Sequence, residues 1–203
     1  FSSMFPMDPY NLRLERGLSQ SHFPHRFVTA VVYDLPFGKG KPLLNGRRLA
    51  SYLAGGWQAS SIITLQSGDQ VWIQQPANTA RTFSRQFRPN LVGNPVLPQD
   101  DRTLERWFNI GAFQAPPPLT LGSSNKFPNV QGPGLANVDF SMIRSFPLPG
   151  REEMRLELRG DFFNLLNRTN FSPPSGQFGT PNFGRITAAR LARTIQLGLK
   201  FWF

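Results

Sequence analysis

The chain has 203 residues, a formal net charge of +10, 19 Pro, 18 Gly, 19 Phe and no Cys. The missing cysteine excludes disulfide staples and thiolate metal sites, and two histidines, His22 and His25, leave little for an imidazole metal centre. No run of ~18 apolar residues is present, which excludes a membrane-spanning helix but leaves open spanning strands, whose side chains alternate.

Residues 1–24 carry no basic start and no long apolar run, so no secretory leader is read there. The N-terminus is expected to be a cut through a longer protein. Tyr10 to Glu15 alternates briefly, as the top of an earlier hairpin or part of an external loop. The first clear strand covers 26–37: Phe27, Thr29, Val31, Tyr33, Leu35 and Phe37 share one face, and Pro36 and Gly38 end it. A helical turn is expected at 47–53. A second strand covers 57–73, with a bulge or bend at Gly68-Asp69. A third covers 136–146, with Val138, Phe140, Met142 and Phe146 on one face together with Arg144. The fourth, 153–165, sets Met154, Leu156, Leu158 and Phe162 against Arg155, Glu157, Arg159 and Asp161.

The fifth segment, 191–203, carries the strongest pattern. Leu191, Ile195, Leu197, Leu199, Phe201 and Phe203 fall on one face, interrupted only by Arg193, and mostly polar or small residues fall on the other. A lipid-facing strand ending in aromatics at the water boundary accounts for this better than a strand buried in a soluble protein. The connections alternate in kind: 38–56 and 147–152 are shorter, while 74–135 and 167–189 are long and rich in Pro, Gly and Asn. A membrane barrel sorts its connections this way, with short periplasmic turns and long external loops.

The fourth strand's Arg155, Glu157, Arg159 and Asp161 form a charge ladder expected to line a wet lumen, its alternating signs largely cancelling. An arginine at mid-depth on a lipid face costs roughly 2–4 kcal/mol. Arg144 and Arg193 are therefore expected near strand ends, snorkelling to headgroups. The 22 basic residues are scattered, so the positive charge reads as solvated surface, lumen or headgroup contact rather than a nucleic-acid interface. No catalytic residue, metal ligand or cofactor site is read. Asp100, Asp101 and Glu105 are taken as solvated loop charges, and no phosphate-binding loop or nucleophile elbow occurs.

Several pieces, in order, carry a resemblance: Tyr10-Asn-Leu-Arg13, Glu15-Arg-Gly17, His25-Arg-Phe-Val28, Tyr33-Asp-Leu-Pro-Phe-Gly38 and Gly55-Gly-Trp-Gln58. They continue with Leu65-Gln-Ser-Gly68, Trp107-Phe-Asn109, Ala112-Phe113, Gly132-Pro-Gly134 with Asp139, Arg159-Gly-Asp-Phe-Phe-Asn164 and Leu166-Asn-Arg-Thr-Asn-Phe171. Together they resemble the C-terminal barrel region of TonB-dependent outer-membrane receptors. The likeness is to the Oar-like group, which bears an N-terminal carboxypeptidase-regulatory-like domain. Ile195, Leu197, Leu199, Phe201 and Phe203 resemble the assembly signal of outer-membrane barrels.

The resemblance implies an all-β, antiparallel up-and-down transmembrane barrel of about 22 strands, of which residues 1–203 supply roughly the last five. It implies a bacterial outer-membrane location and uptake of an unknown external solute, with no enzyme activity and no cofactor. The implied partners are outer-membrane lipid, the barrel-assembly machinery, an external ligand, and the TonB system through a missing N-terminal part; nucleic acid is not among them. The alternative reading is a soluble β-sandwich binding a carbohydrate or other ligand. A sandwich would bury the apolar face of the last strand under a second sheet, and a barrel would leave it bare.

Overall fold

The computed structural model describes residues 6–45, 48–83, 86–148 and 154–203, with residues 48–50 described by backbone alone. Its strands are β1 Arg26–Asp34, β2 Trp57–Gln66, β3 Asn90–Leu91, β4 Phe113–Gln114, β5 Leu135–Pro147, β6 Arg155–Phe163 and β7 Thr194–Trp202. One short helix, α1, spans Arg48–Ala54. The chain divides into two compact units.

One unit comprises Arg26–Leu65, Ala136–Thr169 and Leu191–Phe203 and holds the main sheet. Five strands lie in the order β1-β2-β5-β6-β7. All five expected strands are present, paired with their expected neighbours. β5, β6 and β7 are antiparallel, with Leu158 opposite Arg144 on one side and Leu199 on the other. The last strand starts at Thr194 rather than at Leu191, and the first ends at Asp34. Pro36 and the left-handed Gly38 (φ 112°) account for that early stop. The expected tight turn after Pro147 falls largely on residues 149–153, outside the described residues; beside it the Leu148 N–H donates to Met154 O at 2.9 Å.

The turn that leaves β6 is built by asparagine. Asn164 takes φ 52°, its amide nitrogen donates to Arg168 O at 3.0 Å, and its amide oxygen accepts from the Arg168 N–H at 3.0 Å. Asparagine tolerates the left-handed region and closes such turns with its own side chain. The Asn164 N–H donates to the Asp139 carboxylate at 2.9 Å, tying the turn to β5. Between β1 and β2 the expected helical turn is α1. It ends at Gly55 and at Gly56, which takes φ 74°. A methyl group on Gly55 would lie 2.7 Å from Gly38 Cα, so the two glycines let the loop after β1 close against the helix end.

The other unit comprises Phe1–His25, Gln66–Leu135 and Asn170–Arg190. Its segments are the one before β1 and the two long connections, and here the sequence reading needs two corrections. The second strand does not run to 73. It stops at Gln66, and Val71 and Ile73 turn into a closed core with Phe108, Ala112, Phe113 and Val130. Alternation around Gly68-Asp69 therefore imitated a strand that tertiary packing overrides. Tyr10 to Glu15 is likewise no hairpin top: Leu12–Glu15 is a turn of 3₁₀ helix capped by Asn11.

An aromatic cluster forms part of this core. Phe183 stacks edge-to-face on Phe108, Phe113 and Phe178 at centroid distances of 5.2, 5.5 and 5.4 Å. Backbones approach closely around it; a methyl group on Gly122 would sit 1.8 Å from Arg88 O. Arg88, 1% exposed, pairs with Glu15 and donates to Leu14 O at 3.1 Å. Burial pushes the Arg88 guanidinium below its ordinary range, and the Glu15 carboxylate works against that shift.

Candidate functional site

The main sheet has two chemically distinct faces. In register across β5, β6 and β7 lie Phe146, Leu156 and Phe201, then Arg144, Leu158 and Leu199, then Met142, Gly160 and Leu197, then Phe140, Phe162 and Ile195. Strand alternation puts these on one side. The other side aligns Ser145, Glu157 and Lys200, then Ile143, Arg159 and Gly198, then Ser141, Asp161 and Gln196. Among the described residues of the unit no second sheet covers the apolar side. Leu197 is 83% exposed, Leu199 67% and Phe203 91%, and Ile195 and Phe201 are exposed as well. A sandwich would have covered them.

The predicted ladder lies on the polar face, but only part of it pairs within itself. Arg159 Nε donates to Asp161 at 2.8 Å, and Ser141 Oγ donates to the same carboxylate at 2.5 Å. Glu157 stands across from Lys200 in register. Arg155 lies 4.7 Å from the centre of the Trp202 ring, and Lys200 lies 3.6 Å from it. Two cations thus lie within cation–π distance of the Trp202 ring at the end of the sheet. Of the loop carboxylates, Glu105 pairs with Arg185 at 3.0 Å on an exposed surface. Among the described residues no group of acidic or imidazole side chains is placed to hold a metal.

Arg144 lies on the apolar face near the end of β5, as its position implies, yet it does not snorkel. It is 6% exposed, and its two terminal nitrogens donate to the carbonyls of Tyr52 and Leu53 at the end of α1. Its guanidinium lies 4.0 Å from the centre of the Phe146 ring, and Trp57 Nε1 also donates to Leu53 O, at 3.3 Å. The last carbonyls of a helix have no partner inside it and carry partial negative charge. Hydrogen bonds to a charged group are worth about 1.5–3 kcal/mol each, so two of them outweigh the roughly 0–1 kcal/mol cost of a cation near the end of a lipid-facing strand. Arg193 does sit at a strand end, just before β7, where its N–H donates to Asn167 Oδ1 at 3.2 Å.

A family model described as an outer membrane beta barrel domain matches residues 1–196. The chain belongs to that family. No curated protein and no solved structure matches it. The bare apolar face is therefore a barrel wall in contact with lipid, and the protein is located in the bacterial outer membrane. Residues that sequence reasoning passed over also stand out. Lys39, Lys41 and Tyr52 border one recess with Arg144, and the Trp202 ring lies close to both Arg155 and Lys200. The signal in the sequence that could have found the recess is the close spacing of Lys39 and Lys41.

Proposed function

We propose that this barrel wall belongs to a TonB-dependent receptor of the Oar-like group that imports an external solute. The observation that carries the reading is a hydrogen-bonded polar face set behind an apolar one that is bare along β7. Asn137, Asp139, Ser141, Arg159 and Asp161 form a hydrogen-bonded polar surface on β5 and β6, suited to a wet interior or to a docked internal domain. The motifs that resemble the receptors have local structural jobs: Gly38 and Gly55 close the first connection, and Asn164 turns the chain off β6.

Sheet edges support completion by further strands. β1 and β7 each have one neighbour in the sheet, and unpaired backbone groups in hydrocarbon cost several kcal/mol each. Residues 1–203 act in this reading as one part of a single barrel domain, with the terminal aromatics serving assembly and the connections 66–135 and 170–190 meeting the external ligand. The chain performs no catalysis in this reading.

The test uses the intact outer-membrane protein, reconstituted in lipid, with the purified periplasmic domain of TonB as probe. Saturable binding that strengthens when external ligand is bound is expected. Absence of binding, together with solute uptake that persists when the proton-motive force is collapsed, overturns energy coupling while leaving the barrel intact.

A further inference from the structure

Beside α1 lies a recess of about 690 Å³, bordered by Phe37, Lys39, Lys41, Tyr52, Arg144 and Phe146 among others. We propose that it holds the phosphate-bearing headgroup of an anionic phospholipid at the edge of the membrane. The volume falls within the range of small-molecule sites. Three cationic side chains border it, and no acidic side chain does so among the described residues. Arg144 spends its terminal nitrogens on the helix carbonyls, which leaves Lys39 and Lys41 as the cations for a ligand. Both are exposed, and neither takes part in an ion pair among the described residues.

The lysines sit on a loop closed by its own hydrogen bonds. The Gly38 N–H donates to Leu43 O at 3.0 Å, the Lys41 N–H to Gly38 O at 3.1 Å, and the Gly40 N–H to Asn45 Oδ1 at 2.9 Å. Lys39 and Lys41 are thus offered from a fixed backbone, which lowers the ordering cost of binding.

A lipid suits the site better than a free anion because of what adjoins it. Phe146 borders the recess and also belongs to the apolar face, opposite Leu156, which is opposite Phe201. A headgroup at the lysines would leave its acyl chains beside that row. Cations at this level attract anionic headgroups. The inference rests on the apolar face lying in lipid and is independent of energy coupling, so a failed TonB experiment leaves it standing.

Delipidated intact protein is titrated with phosphatidylglycerol or phosphatidylcholine in detergent and read by native mass spectrometry. Phosphatidylglycerol is expected to bind more tightly. Each lysine near an anionic headgroup is worth roughly fivefold, so Lys39→Gln with Lys41→Gln weakens phosphatidylglycerol binding about twenty-five-fold. Lys39→Arg with Lys41→Arg keeps it, which separates lost charge from lost fold, and Arg106→Gln, remote in sequence and on an exposed turn, leaves it unchanged. Equal affinity for the two lipids, or wild-type affinity in the glutamine double variant, overturns the proposal. Full displacement of phosphatidylglycerol by millimolar inorganic phosphate also overturns it, since the site would then be one for free anions.

Discussion

Ile73 and Leu197 are both aliphatic side chains in stretches that alternate in the sequence, and they end in opposite surroundings. Ile73 is fully buried in a mixed aliphatic and aromatic core made from the connections between strands, whereas Leu197 is 83% exposed on the last strand of the main sheet. Aliphatic exposure on that scale, continued through Ile195, Leu199, Phe201 and Phe203, is unfavourable in water. It costs nothing against acyl chains. The lesson is that one chain solves the problem of its apolar surface twice, once by folding over it and once by leaving it to the bilayer.

The largest effect is expected where the folded solution is broken. Phe108 is buried and touches Phe113 and Phe183 edge-to-face. Phe108→Ala should destabilise its unit by about 3–5 kcal/mol. Protease cleavage within 66–135 and a shift in tryptophan emission check this, Trp107 being packed against that core. If strand content measured by circular dichroism collapses in parallel, the two regions are not the separable solutions described above.

Leu197→Arg tests the other region. Its partner across the strand is Gly160, and a charge on this face should cost roughly 2–4 kcal/mol. Gln196→Arg, on the opposite face of the same strand, should change little. Urea unfolding of the intact protein in lipid vesicles distinguishes the two, and equal losses would mean that the apolar row does not meet lipid.

These two regions also differ in how legible they were. A period of two is a local property, so the five strands could be read from alternating runs such as the one through Ile195, Leu197 and Leu199. The core of the connections is non-local: Val71 meets Val130, and Phe108 meets Phe183. Nothing within a short window announces such pairs, and between Trp57 and Ile73 the alternation continued past the true end of β2. Arg144 was placed correctly on its face and near its strand end, but its partners are carbonyls contributed by α1, from a distant part of the chain. Backbone acceptors carry no residue signature, so snorkelling was the only outlet the sequence suggested. The lysine recess was hidden for a similar reason, since Tyr52 and Phe146 reach it from separate elements.

Arg144→Met sharpens the comparison at the point where the apolar face borrows from a folded element. The substitution removes a charge from the lipid side and strips the Tyr52 and Leu53 carbonyls of a donor. The first change is favourable and the second unfavourable, by about 1.5–3 kcal/mol for each hydrogen bond to the charged group. A net destabilisation of about 2 kcal/mol or more is expected, seen as a lower urea midpoint together with proteolytic opening between Gly38 and Gly56. An unchanged midpoint would mean that lipid replaces the guanidinium without loss.

The smallest effect is expected on the polar face. Arg159 and Asp161 are two residues apart on one strand, and the pair is bonded at 2.8 Å, but half of the Arg159 side chain is open to solvent. Exposed pairs of this kind lose most of their attraction to water and salt. Asp161 also keeps its Ser141 donor when Arg159 is gone. Arg159→Gln should therefore leave the urea midpoint in place, whereas Asp161→Leu, which removes the acceptor shared by Ser141 and Arg159, should lower it. Ion conductance of the reconstituted protein gives a second reading: a face that lines water should change its charge selectivity with Arg159→Gln, while Leu199→Met on the apolar side should not. A conductance change of equal size from both variants would erase the distinction between a wet face and a lipid face on which the barrel assignment of these strands depends.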